Sequence, residues 1–368
     1  AACGSELAAT KSERARLLLK RLEPALSRAV AASSDPQAAL DGLDAFLARL
    51  PAGVAFLSRL DRQRELVPVW VLVVSAAPGL AEQLVQRPRL LDVLVDPQFY
   101  GRATEDATEE GLLDASLDNV SNYESRLDAL RTFAQEQLLL TEVRILTGSL
   151  ATAAAGRSIS HLAEDVTRHA LDVALEEFAQ RHGHVAGGGV ALLALGSFGS
   201  LEMTPSSDLD VVFIYDAADE GGESDGERPL APGHYYSRAA QRFIAALSAP
   251  TAHGKAFDVD LRLRPSGRSG PLATHIRSFE RYHAESAWVW EHMALTRARV
   301  VAGDPHVGER AMAAIGAALT KERDPDELAR EVLEMRRKLD GLSRNDAKHA
   351  PGGLVDIEFI VQFLRLRA

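Results

Sequence analysis

The segment LGSFGSLEMTPSSDLDVVFIYD, residues 195–216, constrains this chain more than any other, because it joins a tight Gly-Ser turn to two carboxylates that open an apolar strand. Side chains alternate along a strand, so Asp208 and Asp210 project together while Leu209 and Val211 point the other way. Two adjacent anions repel unless a cation lies between them. A hard divalent ion such as Mg²⁺ suits oxygen ligands, taking protein carboxylates together with water and substrate phosphate. The turn supplies the other half of such a site. After the apolar run 190–195, Gly196 lets backbone approach a phosphate closely, and Ser197 adds a hydroxyl and an N–H. Ser207, just before the acidic pair, joins them as a candidate ligand-binding residue.

An isolated Asp-X-Asp is a weak signal in a chain with 52 acidic residues. Order gives it meaning: strand, Gly-Ser, a connection, then an acidic pair on a second strand resembles the nucleotidyltransferase superfamily that includes DNA polymerase beta. That resemblance implies a third carboxylate from a later strand. The run FDVDLRLRP, residues 257–265, alternates apolar and charged positions and ends at a proline. It predicts a strand with Asp258, Asp260, Arg262 and Arg264 on one face, a pattern shared by any edge strand with a solvated side. The order of segments favours Asp260 as third carboxylate and proton acceptor, with Arg262 and Arg264 as phosphate ligands or as counter-charges to the acids.

Four segments narrow the resemblance. GSFGSLEMTPSSDLDVVFIYD, VDLRLRPSGRSGPL, ESAWVWEHMALTRARVVAGD and GGLVDIEFIVQFL, in this order, resemble the glutamine synthetase adenylyltransferase family. The resemblance runs from Leu17 to Ala368, weakly in the first third and strongly after Val190. It implies two related nucleotidyltransferase halves, one removing AMP from glutamine synthetase by phosphorolysis and one adding AMP from ATP. This chain carries one set of motifs. Ser266 in LRPSG, the second Trp and the Glu-His of AWVWEHMALTRARVVAGD, and Asp356 in GGLVDIEF resemble the adenylylating half. One departure stands out: many members have Gly-Lys-Leu-Gly-Gly where this chain has Gly196-Ser197-Phe198-Gly199-Ser200, so a lysine able to touch phosphate is missing from the turn.

The implied reaction is attack of a glutamine synthetase tyrosine hydroxyl on the α-phosphorus of ATP, with loss of pyrophosphate. A hydroxyl with a pKa of about 10 needs a metal or base to react at neutral pH. Asp208, Asp210 and Asp260 would hold Mg²⁺, and Gly196 and Ser197 the β and γ phosphates. The implied partners are glutamine synthetase as protein substrate, with a PII signalling protein and glutamine as regulators. Alternatives are the removing half, a transferase with another acceptor, and a nucleotide-sensing module without turnover.

Composition narrows the classes. A net charge of −11 opposes a nucleic-acid binder, which needs a basic surface. No apolar run approaches the roughly eighteen residues of a membrane span. Cys3 is the only cysteine, which rules out an intrachain disulfide and fits a reducing cytoplasm. The opening Ala-Ala-Cys-Gly lacks the apolar region of a lipoprotein signal and reads as a segment boundary.

The expected fold is α+β and mostly helical: a small mixed-sheet nucleotidyltransferase core, polymerase beta-like, between N-terminal and C-terminal helical regions. The expected divisions are 1–160, 161–305 and 306–368, the last truncated because its helical pattern is still running at the end. Strands are expected at 190–195, 209–215 and 257–263, with a helix at 236–247. Breaks are expected at Pro36, Pro51 and Pro97. Leu162, Val166, Ala170 and Val173 define one buried helical stripe. The polar, Gly-rich stretch 216–233 reads as a mobile loop, either a lid or a surface insertion. Residues 277–301 read as helical, with Trp288 and Trp290 as core anchors and His292 without a partner at metal-ligand spacing. Arg297 and Arg299 read as surface charges ahead of nucleotide contacts. Asp356 and Glu358 read as first-turn acids favoured by the helix dipole.

Overall fold

The computed structural model describes residues 12–50, 53–101, 111–117, 120, 122–339 and 347–368; Cys3 and Pro51 lie outside them. The chain divides into two compact units, one of residues 1–107 and 136–158, the other of residues 108–135 and 159–368.

The first unit is helical. It contains α1 (Glu13–Ala32), α2 (Pro36–Arg49), α3 (Gly53–Arg62), α4 (Val67–Ala76), α5 (Pro78–Gln86), α6 (Pro88–Leu94) and α7 (Pro97–Gly101). Four of these begin at a proline, whose missing N–H costs nothing in a first turn. The helical run breaks at Pro36 and Pro97, as expected, and each opens the next helix. The Ser12 hydroxyl accepts from Ala15 N at 3.1 Å, and Asp35 accepts from Gln37 N and Ala38 N at 3.1 and 3.0 Å, satisfying first-turn donors. α4 is apolar nearly all round and is buried through Val67, Trp70, Val71, Val73 and Val74, as such a helix must be. Phe46, Phe56 and Trp70 meet with ring centroids 4.7–5.4 Å apart. No single helix among the described residues is long and apolar enough to cross a membrane.

After α8 (Leu112–Leu117), the long helices α9 (Tyr123–Leu146) and α10 (Thr152–His182) each contribute residues to both units. The expected stripe on α10 is present: Val166, Ala170 and Val173 are buried, and Leu162 is half-buried.

The second unit is built on a mixed sheet: β1 (Gly189–Ala194), β2 (Leu209–Asp216), β3 (Val259–Asp260), β4 (Ala273–His275) and β5 (Arg299–Gly303). Around it lie α11 (Gly196–Gly199), α12 (Pro232–Ser248), α13 (Ile276–Glu285), α14 (Val289–Leu295), α15 (Pro305–Leu319), α16 (Pro325–Leu339) and α17 (Leu354–Arg367). β1 pairs antiparallel with β2 and β5, while β3 and β4 share the remaining edge of β2, both parallel to it. β1 reads GVALLA and β2 LDVVFIYD because both faces are covered, which favours continuous apolar runs. Ala191, Leu193, Val212 and Ile214 pack against Ile276 and Phe279 of α13 and Ala311 and Ile315 of α15. On the other face, Phe213 meets Phe243 of α12, and Tyr215 stacks on Tyr236 at 4.6 Å.

The α+β, mostly helical class holds, but three local expectations fail. The alternating run 257–265 forms a strand only at Val259–Asp260, because Asp260 turns back to accept the N–H of Arg262 at 2.8 Å and the chain enters a loop. Residues 277–301 are two short helices followed by β5; Trp288 is 66% exposed and caps α14 where burial was expected, and Trp290 is half-buried. The 216–233 loop is stitched to the end of α10: Asp225, Gly226 and Arg228 donate backbone N–H groups to His184, His182 and Arg181 carbonyls, and Ser224 is buried.

Candidate active site

Leu195 N donates to Asp210 O at 2.8 Å, continuing the β1–β2 ladder one step and setting the Gly-Ser turn over the start of β2. Gly196 has φ +53°, and a Cβ there would run into the Asp210 carboxylate. Two independent reasons thus demand glycine: the left-handed backbone and the lack of space. The single turn α11 closes through Gly199 N to Leu195 O at 2.8 Å and is anchored by Phe198, which is fully buried. Gly199 lies so close to the Arg297 carbonyl that it too admits no side chain. Ser197 is half-buried, and its carbonyl accepts from Glu202 N at 2.8 Å.

Ser207 has a different task. Its hydroxyl accepts from Thr204 N at 2.9 Å and lies 3.0 Å from Thr204 Oγ1, so it fixes the turn that feeds β2. Asp208 follows, exposed; Leu209 is fully buried, and Asp210 is half-buried on the same side as Asp208. Across the parallel β2–β3 pairing Asp210 stands opposite Asp260, and Leu209 N donates to Asp258 O at 2.8 Å to fix that register. Asp258 instead forms an ion pair with Lys255.

The electrostatics follow from this arrangement. Burial, then the charges of Asp260 and Asp208, push Asp210 up to about 6, against the opposing pull of Arg262 and Lys348. Burial would also raise Asp260, but the side-chain and backbone hydrogen bonds and the charge of Arg262, with help from Arg268, hold it below the usual carboxylate range. Arg262 Nε donates to Asp260 Oδ2 at 2.6 Å. Arg264 does not join it. Its guanidinium is buried and donates to the carbonyls of Leu261 (2.7 Å) and Gly270 (3.2 Å), which folds the 261–270 loop.

The residues fit a hard divalent cation in kind: three carboxylates, all-oxygen donors, and more negative charge than Arg262 offsets. Among the described residues no three acidic, histidine or cysteine side chains stand grouped at ligating spacing, and the Asp260 carboxylate is turned onto Arg262.

Other singled-out residues have structural partners. Arg297 pairs with Glu358 at 3.2 Å, and Arg299 pairs with Glu164 with its guanidinium 6.0 Å from the Phe198 ring. Glu291 accepts from Tyr282 Oη at 2.8 Å and from Trp288 N at 2.9 Å. His292 Nε2 donates to the His283 carbonyl at 3.1 Å and Nδ1 accepts from Arg323 at 3.0 Å. Asp356 pairs with Arg336 and accepts from Gly352 N at 2.5 Å. The 216–233 loop, expected as either a lid or a surface insertion, leaves β2 at Asp216, the end of the strand opposite Asp208. A cavity of about 430 Å³ also opens at that far end, lined by Tyr215, Ser266, Thr274, His275 and Tyr282, and none of the three carboxylates borders it. Sequence reasoning missed Lys348, which reaches the Asp210 carboxylate electrostatically from the loop before α17.

Residues 69–314 match the family model for glutamate-ammonia ligase adenylyltransferase. The chain is 44% identical over 362 residues to the bifunctional glutamine synthetase adenylyltransferase/adenylyl-removing enzyme of Brucella suis, 44% over 363 residues to that of Xanthobacter autotrophicus, and 41% over 360 residues to that of a Bradyrhizobium strain. Each alignment covers 97% of this chain and 36–37% of the relative's length.

Proposed function

Because this chain belongs to the glutamate-ammonia ligase adenylyltransferase family, we propose that it transfers AMP from ATP to a tyrosine of glutamine synthetase, releasing pyrophosphate. The observation that carries the reading is the opposition of Asp210 and Asp260 beneath Gly196, where a phosphate and a cation would meet. The tyrosine oxygen attacks the α-phosphorus, a new P–O bond forms, and the bond from that phosphorus to the bridging oxygen of the β-phosphate breaks. Asp260 accepts the hydroxyl proton; Arg262 keeps it ionised and so able to do so. Asp208, Asp210 and Asp260 would hold Mg²⁺, which supplies a lowered tyrosine pKa and neutralises charge on the leaving pyrophosphate. Gly196 N–H and Ser197 bind the β and γ phosphates in this reading, with Arg262 at the edge and Ser207 and Arg264 as the residues that shape the turns around them.

Glutamine synthetase is the proposed protein substrate, a PII protein and glutamine the proposed regulators, and the cytoplasm the proposed location. The relatives are named for both addition and removal of AMP, so a second reading keeps the same site with phosphate attacking AMP-tyrosine. The test is incubation with unmodified glutamine synthetase, MgATP and glutamine, read by intact-mass spectrometry, with Asp210→Asn as control. A mass increase of one AMP that the control lacks is the expected result. No increase, together with loss of AMP from modified glutamine synthetase when phosphate is added, would replace transfer by removal.

A further inference from the structure

The Gly196-Ser197 turn is backed by β5. Ala194, just before the turn, pairs with Arg299, and Gly199 within it packs on the Arg297 carbonyl. Phe198, the buried anchor of the turn, has the Arg299 guanidinium over its ring, 6.0 Å from the centroid, at the outer reach of the attraction between a cation and an aromatic face. α10 completes the support. Its Glu164 pairs with Arg299, and Ser160, one helical turn earlier, accepts Met203 N at 3.4 Å where the chain leaves the turn. Two neighbouring positions on α10 thus engage the strand behind the turn and the chain that leaves it.

Folding alone does not favour arginine at this place. Nη1 of Arg299 donates to Glu164, but Nε and Nη2 are buried with no hydrogen-bond partner among the described residues. Each of those donors loses its water without replacement, a penalty that a methionine of similar length would escape. Arginine has one property that methionine lacks, a rigid charged plane able to lie against an aromatic ring. The guanidinium does not share a face with the carboxylates. Ala194 pairs with both Val211 and Arg299, so Arg299 belongs to the Val211 face of the sheet, and Asp210 projects from the other.

We propose that Arg299 is a positioning residue for the nucleotide triphosphate: held by Glu164, it fixes Phe198, and through Phe198 the Gly196-Ser197 backbone, without touching the nucleotide. This rests on the nucleotidyl-transfer reading above. It gives the buried, incompletely bonded guanidinium a purpose that stability does not supply.

The experiment compares the unaltered chain, Arg299→Met, Arg299→Lys, Phe198→Leu, the double variant Arg299→Met with Phe198→Leu, and Asp210→Asn. Each is measured by isothermal titration with MgATP and with AMP, by KM for ATP and kcat in the transfer assay, and by thermal melts. Arg299→Met is expected to weaken MgATP binding and raise the KM for ATP about tenfold, to change kcat and AMP binding less than about twofold, and to keep the melting temperature within about 2 °C. Arg299→Lys, which keeps the charge but not the plane, should recover less than about half of that loss. Because Arg299 acts through Phe198, the double variant should bind MgATP no more weakly than Phe198→Leu alone. MgATP binding by Arg299→Met within about twofold of the unaltered chain, whatever its melting temperature, would overturn the proposal. Losses that multiply in the double variant would overturn it as well, since Arg299 would then act independently of Phe198. Full recovery in Arg299→Lys would replace positioning by direct contact of a charge with phosphate. Transfer retained by Asp210→Asn, or no MgATP binding by the unaltered chain, would instead remove the nucleotidyl-transfer reading, and the role of Arg299 with it.

Discussion

The two units answer to different demands. In the first, α4 and the Phe46–Phe56–Trp70 cluster hide apolar surface, and Ser12 and Asp35 cap α1 and α2. Local preference and tertiary packing agree there. In the second, the sheet is packed on both faces, yet where β2 begins Asp210 is left half-buried under the like charges of Asp208 and Asp260. Stability alone would not select that end of the strand. The contrast separates residues that hold the molecule together from residues held in place by it, and a mutation should move one property or the other.

The sharpest test is Asp210→Asn. It should lower transfer by about a thousandfold or more while raising stability by about 1–2 kcal/mol in metal-free buffer, since a repelled charge is removed without loss of volume. Activity assays paired with thermal melts would check it, and a destabilised, inactive variant would erase the distinction. Phe56→Ala should do the reverse: a loss of about 4 kcal/mol in denaturant titration from deleting a buried ring, with MgATP affinity of the folded protein unchanged. Reduced affinity would mean that the helical unit shapes the site.

Gly196→Ala sits between these poles. Its Cβ strikes the Asp210 carboxylate and its φ is positive, so it should cost about 2–3 kcal/mol and most of the activity together. A smaller effect belongs to His283 of α13, which is buried, with neither ring nitrogen hydrogen-bonded among the described residues. Burial and the neighbouring His292 push it down to about 4. Its unfolded counterpart takes a proton near 6.5, so between those values the unfolded state binds more protons and stability must fall as pH falls. Unfolding titrations from pH 7 to pH 4 should lose about 2 kcal/mol from this group, and His283→Phe should lose less over the same range. An identical slope in the variant would assign the acid sensitivity elsewhere.

Sequence alone revealed what depends on near neighbours. The alternation Asp208-Leu209-Asp210-Val211 forces both acids to one side of β2, and the glycine at 196 was legible because only one residue type tolerates that turn. What stayed hidden depends on partners far along the chain. Asp260 was expected as a third carboxylate on a longer strand, but β3 ends there because Arg262 bonds back to it, a competition that alternation cannot display. β5 was lost beside two short helices, since Arg299–Gly303 becomes a strand by pairing with β1 more than a hundred residues earlier. The loop after Asp216 looked mobile by composition, and only its bonds to residues 181–184 reveal that it is tied down.

The brevity of β3 has a kinetic meaning. Asp210 lies on a strand that β1 holds along its length, so it can shift only if that pairing opens. Asp260 hangs from two residues of pairing at an edge, where fraying breaks few ladder bonds and leaves β1 and β2 intact. Amide exchange should therefore be fast at Val259 and Asp260 beside a slowly exchanging β2, making Asp260 the detachable piece of the candidate site.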